Sequence, residues 1–166
     1  MPILAHKPLT IAANKPMKKI IVLIILFSAS GFAQATIENF LNEPFTNTAA
    51  SIREKHPDKR IEEQDVMIYT VLTYYDWIEP ISIKVGYMFG KDGSQKGKVI
   101  ANAKNSEEDA QKFYDMAKAA LIKKYGTNHT EKSLMGMDGL SWNNIEGWSV
   151  MLARKKGKAT ITLFRR

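Results

Sequence analysis

The sequence predicts an α+β domain with a two-layer architecture, in which helices pack on one face of an antiparallel β-sheet. Three observations support this prediction. One segment has the apolar spacing of three and four that marks an amphipathic helix, several segments have the alternation or composition of strands, and short turns connect those strands. The predicted order is helix, three strands, helix, three strands, and the finer interpretation is an α-β-β-β pseudo-repeat.

An export signal is predicted to begin at Met17 rather than at the first residue. Two lysines follow Met17, an apolar run covers residues 20–27, and Ala33-Gln34-Ala35 supplies the small residues that signal peptidase requires. This run is shorter than the roughly 20 residues that span a bilayer, so cleavage after Ala35 is favoured over an uncleaved anchor. The predicted organisation is a non-native or misassigned leader over 1–16, a signal peptide over 17–35 and a single domain over 36–166. The alternative for 1–16 is an unusually long cationic leader.

Composition restricts the classes of function. The four lysines before residue 36 leave with the predicted signal, so 20 of the 24 basic residues remain against 17 acidic ones. This balance and a periplasmic or secreted location argue against nucleic acid as a partner. The chain has no cysteine, so packing rather than disulfides must stabilise it.

The first half of the domain is predicted to hold one helix and three strands. The helix begins near Asn47 and ends at His56, because His56 precedes a proline and the residue before proline disfavours the helical conformation. A first long strand is predicted over Val66–Trp77, followed by a turn at Glu79-Pro80. The second and third strands are predicted over 81–89 and 98–103, with a turn over 90–93 between them.

The second helix is the element with the strongest local signals. Ser106 and Asp109 predict a capping box, and Gly126 is placed to end the helix. Its apolar stripe consists of Ala110, Phe113, Ala117, Leu121 and Tyr125. Three more strands are predicted over 140–142, 148–153 and 159–164, with a hairpin turn at 155–157.

A search for catalytic chemistry gives few candidates. His56 and His129 are the two histidines of the mature domain, neither has metal-ligand spacing, and His129 lies in a predicted polar loop over 127–133. We therefore expect no metal and no cofactor. The carboxylates Glu63, Asp65, Asp76 and Glu79 keep a small envelope hydrolase as an alternative function, although solvated turn residues are the favoured interpretation.

The first long strand carries bulky residues on both faces. If Val66, Ile68, Leu72 and Tyr74 meet the helices, Tyr69, Tyr75 and Trp77 remain as an exposed aromatic row, and such patches mark interaction sites. The alternatives are that the N-terminal segment with Phe40, Leu41 and Phe45 covers this row, or that the strand is buried on both sides.

A second candidate surface is the basic hairpin tip formed by Arg154, Lys155, Lys156 and Lys158. If the earlier turn shares the same end of the sheet, Lys91, Lys96 and Lys98 would extend this surface and attract an anionic envelope component or an acidic protein. The alternative is that these charges keep the sheet soluble.

These observations favour an exported binding module of the cell envelope with no evident catalytic site. The partner would be a protein or an anionic envelope component, and the mature form would have no transmembrane segment. A self-associating structural subunit, in which the aromatic row closes a homodimer, is the third class of function.

Overall fold

A computed structural model describes residues 37–134 and 136–165 of the chain. The leader over 1–16, the predicted signal peptide over 17–35 and Arg166 lie outside the described residues.

The described residues form a single antiparallel eight-stranded open sheet with three helices. The strands are β1 (Glu62–Val66), β2 (Tyr69–Ile78), β3 (Ile81–Gly90), β4 (Gln95–Asn102), β5 (Thr130–Leu134), β6 (Met137–Ile145), β7 (Trp148–Lys155) and β8 (Lys158–Arg165). The helices are α1 (37–42), α2 (Ala49–Lys55) and α3 (Glu107–Tyr125). The spatial order β1-β2-β3-β4-β8-β7-β6-β5 joins two four-stranded meanders along β4 and β8.

One face of the sheet, called the core face here, is buried across six strands. Side chains directly opposite one another on neighbouring strands project to the same face. One such buried row consists of Leu72, Tyr87, Lys98, Leu163, Val150 and Trp142. The alternation predicted for residues 81–89 is confirmed, because the odd-numbered residues of β3 are buried in this face.

The three helices contribute side chains to the core that this face forms. Ile37 and Phe40 of α1, Ile52 of α2 and Phe113 of α3 belong to one cluster with the buried sheet residues. The predicted stripe of α3 is confirmed as its buried side, with Tyr125 partly buried. Helix α3 contacts β3, β4, β7 and β8.

The prediction of one long strand over Val66–Trp77 is wrong. Met67 and Ile68 form a tight turn that divides this segment into β1 and β2, and Met67 has a φ of 57°. Hairpin turns of this kind favour Gly, Asn or Asp, so an apolar Met-Ile turn gave no local signal. Val66 and Ile68 are therefore exposed at the hairpin tip and do not meet the helices.

The predicted loop over 127–133 is also wrong in part, because β5 begins at Thr130 and pairs with β6. Edge strands that are polar on both faces lack the alternation by which strands are recognised. With β1 and β5 included, each half of the sheet has four strands rather than three.

The ends of α2 and α3 agree largely with those predicted from the sequence. Helix α2 has Thr48 as N-cap and His56 as C-cap, and α3 ends at Gly126, whose φ is 80°. The capping box of α3 is only half formed: the Ser106 hydroxyl accepts a hydrogen bond from the Asp109 N–H, whereas the Ser106 N–H donates to the Gly157 carbonyl.

Candidate functional site

The second face of the sheet, called the open face here, carries the exposed aromatic side chains. Tyr75 and Trp77 of β2 are 53% and 60% exposed, while their neighbours Leu72 and Tyr74 are buried on the core face. Tyr69 lies on the open face by strand alternation and is half-buried. Two of the three aromatic residues predicted as an exposed row are thus exposed.

Phe40, Leu41 and Phe45 do not cover this row. Phe40 and Leu41 are buried in the core cluster, and the ring of Phe45 stacks on Trp148 with 3.3 Å between ring centroids. All three make their contacts with residues of the core face. The alternative in which they cover Tyr75 and Trp77 is therefore excluded.

Beyond the aromatic residues, the open face is built mainly from small, uncharged side chains. Its central rows contain Thr73, Gly86, Met88, Gly97, Val99, Ala101, Thr160, Thr162, Phe164, Met151, Ala153, Gly139 and Ser141. Met151 and Phe164 are exposed among them.

Two glycines let neighbouring side chains lie over the backbone of the open face. A Cβ at Gly86 would be 2.8 Å from Cγ1 of Val99, and one at Gly97 would be 3.3 Å from Cε of Met88. Glycine in a strand interior commonly marks such a close approach. The result is a low surface on which Tyr75, Trp77, Met151 and Phe164 stand out.

Lysines border one end of the open face. Lys84 lies directly opposite Tyr75, and its Nζ is 5.5 Å from the centre of the Tyr75 ring. Lys155 and Lys158 pair at the start of β8, on the same face by alternation, and Lys156 lies in the turn between them. Partial burial and the positive charge of Lys84 lower the pKa of Lys158. Lys84 gave no signal in the sequence, because a single lysine in an alternating strand is ordinary.

The larger basic surface predicted from two turns does not form. Gly97 pairs with Phe164 and Ala101 with Thr160, so the turn after β3 and the turn before β8 lie at opposite ends of the sheet. Lys98 is buried on the core face, and Lys96 forms an ion pair with Asp92 in its own turn. This separation follows from the antiparallel pairing of β4 with β8, which the sequence alone does not specify.

Arg154 is also separated from the other three residues of the predicted basic tip. By alternation it projects to the core face, where its guanidinium pairs with Asp138 at 3.3 Å and lies 5.4 Å from the centre of the Tyr114 ring. Lys155, Lys156 and Lys158 therefore form the tip without it.

The carboxylates considered for a hydrolase are spread over separate contacts. Glu63 pairs with Arg53, Asp65 accepts a hydrogen bond from Thr70 at 2.9 Å, and Asp76 accepts one from Lys59 at 3.0 Å. The strong Lys59–Asp76 hydrogen bond raises the pKa of Lys59. Glu79 is exposed in the turn between β2 and β3.

A cleft on the core-face side holds the buried polar side chains that sequence reasoning missed. The Tyr87 hydroxyl donates to Oε2 of Glu43 at 2.6 Å, and the Tyr74 hydroxyl lies 3.1 Å from Nε2 of His56. Burial raises the pKa of Tyr74 to about 12 and also raises that of Tyr87, so both phenols stay protonated near neutral pH. Glu43 precedes a proline in a polar stretch and gave no motif.

His129 differs from its predicted solvated position. Its side chain is 11% exposed, its ring packs 4.9 Å from the Trp142 ring, and Nε2 lies 3.6 Å from a Glu131 carboxylate oxygen. Within residues 37–134 and 136–165 we find no group of three or more His, Cys, Asp or Glu residues arranged for a metal ion.

Comparisons of the chain with protein-family models, with curated proteins and with solved structures found no match. Of the helices in the described part of the chain, none has the length and apolar character to span a membrane.

Proposed function

We propose that this protein is an exported binding module of the cell envelope that holds an acidic protein partner on the open face. The observation that carries the proposal is the exposure of Tyr75 and Trp77 beside Lys84, on a low surface whose centre is uncharged. Exposed aromatic side chains of this kind are frequent energetic anchors of protein interfaces. The exposed Met151 and Phe164 would extend the apolar contact toward β7 and β8.

Charge on the open face favours an acidic partner over a second copy of this chain. Strand register places four lysines on this face, at positions 84, 132, 155 and 158, against one carboxylate, that of Glu62. Two such faces packed together would bring like charges into one interface, which opposes association. A partner with carboxylates around an apolar centre would instead complement both parts of the surface.

We further propose that the fold is a two-layer α+β structure built from two helix-plus-meander halves. Each half would contain four strands, and the continuous eight-stranded sheet would give the open face its width. The support for this proposal is the symmetric strand order about the β4–β8 pairing.

The test uses an engineered photo-crosslinking residue in place of Ser82, which lies directly opposite Trp77 on β3. A second site at the exposed Lys112 of α3 serves as the control for nonspecific crosslinking. We expect crosslinking to an acidic envelope protein from position 82 and none from position 112. A self-crosslinked dimer from position 82 would instead support the homodimer.

The matched affinity measurement uses the Tyr75→Ala, Trp77→Ala double variant against the crosslinked partner. Because both side chains are exposed, the thermal midpoint should change little, while the affinity should fall roughly 100-fold. Lys84→Glu should weaken binding mainly at low salt, since screening removes surface electrostatics. An affinity unchanged in the double variant would contradict the proposal.

A further inference from the structure

A cleft of about 400 Å³ lies between the first two helices and the core face of β2, β3 and β4. We call it the tyrosine cleft. Its lining residues are Asn39, Phe40, Asn42, Glu43, Lys55, His56, Tyr74, Asp76, Ile83, Val85, Tyr87 and Ile100. Its size falls in the range of small-molecule sites, and it is separate from the open face.

The inner surface of the tyrosine cleft is apolar and aromatic. Ile83, Val85 and Ile100 project into it from β3 and β4, and all three are buried in the core cluster. The rings of Tyr74 and Tyr87 lie beside one another with 6.3 Å between centroids and an interplanar angle of 24°. This surface suits the apolar body of a small ligand.

Two carboxylates, Glu43 and Asp76, face this aromatic surface. Glu43 is held by the Tyr87 hydroxyl through Oε2, and its other oxygen, Oε1, pairs at 3.3 Å with the Lys55 ammonium group. Asp76 pairs with Lys59 at 3.0 Å. Each carboxylate therefore already binds the ammonium group of a lysine side chain.

Aromatic rings beside the cleft also bind an ammonium group. Nζ of Lys98 lies 4.8 Å from the centre of the Phe40 ring, on the buried side of α1. Carboxylates and aromatic faces together form the usual environment that recognises organic cations. The contacts of Lys55, Lys59 and Lys98 show that groups at and beside the cleft bind ammonium ions.

We infer that the tyrosine cleft is a binding site for a small primary amine with an apolar body. The ammonium group of the ligand takes the place of Lys55 Nζ at Glu43, and its body lies on the aromatic and aliphatic surface. Nζ of Lys55 also donates to Oδ1 of Asn47 at 2.5 Å, but the ligand displaces it from Glu43 because the Lys55 side chain is 44% exposed and its ion pair with Glu43 is long. This inference does not depend on the open face or on its partner.

The test compares three compounds of the same shape and different charge: 2-phenylethylamine, 2-phenylethanol and phenylacetate. Binding to the purified protein is followed by NMR shifts of the backbone amides of Tyr74 and His56. We expect 2-phenylethylamine to bind at least tenfold more tightly than 2-phenylethanol, and phenylacetate to bind more weakly still. Equal binding of all three, preferred binding of phenylacetate, or shifts from none of them would overturn the inference.

Variants of the Glu43–Lys55 pair give opposite expected effects. Glu43→Gln should weaken binding of 2-phenylethylamine at least tenfold, because a charged hydrogen bond is lost while Gln still accepts from Tyr87. Lys55→Ala should strengthen it about threefold, because a competing cation is removed. The exposed pair Glu108 and Lys112 offers matched controls, and Glu108→Gln and Lys112→Ala should change neither affinity. Weakened binding in both Glu43→Gln and Lys55→Ala would contradict displacement of Lys55.

Discussion

Lys98 is a buried cation that ties the N-terminal segment to the sheet. It is 1% exposed, and its Nζ donates to the carbonyl oxygens of Phe40 and of Glu43, the latter at 2.7 Å. The last carbonyls of a helix lack partners within the helix, so Lys98 satisfies groups at the end of α1 that would otherwise be buried unpaired. Burial lowers the pKa of Lys98 to about 8.

The first prediction concerns the pH dependence of stability. Between pH 8 and 10 the folded protein holds fewer protons on Lys98 than the unfolded chain does, so the free energy of unfolding should rise with pH, by up to about 3 kcal/mol. Above pH 10 the trend should reverse, because burial raises the pKa of Tyr74 and of Tyr125 to about 12. Urea unfolding at a series of pH values measures this curve.

Variants separate Lys98 from the other titrating groups. Lys98→Met should remove most of the rise between pH 8 and 10, and the lowered pKa values of Lys124 and Lys158 account for the remainder. The matched control is Lys91→Met, which removes the same charge from the exposed turn between β3 and β4 and should keep the rise. A rise of unchanged size in Lys98→Met would show that Lys98 is not its source.

At the scale of elements, the β7–β8 turn and the beginning of α3 support each other. The Gly157 carbonyl accepts hydrogen bonds from the Ser106 N–H at 3.1 Å and from Nδ2 of Asn102 at 2.8 Å. A Cβ at Gly157 would lie 2.7 Å from Oδ1 of Asn105 and 3.1 Å from the Ser106 nitrogen. This turn therefore positions α3 over the core face through backbone contacts.

The second prediction compares two glycines with nearly the same φ angle. Gly157 and Gly93 have φ angles of 72° and 74°, but a Cβ at Gly93 would have no neighbour within 4 Å. Gly93→Ala should lower the free energy of unfolding by about 1 kcal/mol, because only the conformational penalty of a positive φ applies there. Gly157→Ala should cost at least about 1 kcal/mol more, because it also displaces the beginning of α3.

Urea unfolding measures both costs, and amide hydrogen exchange locates the second one. Reduced protection in the first turn of α3 is expected for Gly157→Ala but not for Gly93→Ala. Equal costs for the two substitutions would mean that the turn and the helix are not coupled.

At the scale of the whole molecule, the β4–β8 pairing makes one sheet from two meanders. Ile100 and Ile161 lie directly opposite each other across this pairing, and both are buried in the core cluster. The same cluster contains residues of both meanders and of all three helices. Since the two meanders share a core, they should unfold together.

The third prediction is that the protein unfolds in a single transition. A substitution at the β4–β8 pairing should therefore destabilise both meanders together. Ile161→Ala should lower the free energy of unfolding by about 3 kcal/mol, through lost burial and the cavity that remains. Near- and far-ultraviolet circular dichroism should still report the same midpoint. Val99→Ala, on the open face of β4, is the control and should cost about 1 kcal/mol or less. Two separate transitions in Ile161→Ala would show that the meanders are independent folding units.

Local sequence signals determined the elements that have distinctive ends or periodicity. The Ser106 cap, the stripe of Phe113 and its neighbours, and Gly126 predicted α3, and the alternation of residues 81–89 predicted β3. These features depend on contacts between residues that are close in the chain, so the sequence alone shows them. Strand alternation also separated Tyr75 and Trp77 from Leu72 and Tyr74, but it left open whether Tyr75 and Trp77 are exposed or covered.

Tertiary structure alone decided which distant residues meet. The neighbouring lysines in the sequence suggested that Lys98 belongs to a basic turn. In the structure, pairing of β4 with β8 and packing of α1 bury it. The edge strands β1 and β5 form because a neighbouring strand satisfies their backbone groups, not because their side chains alternate. The tyrosine cleft joins Glu43 to Tyr87 across 44 residues, a separation over which no local pattern carries information.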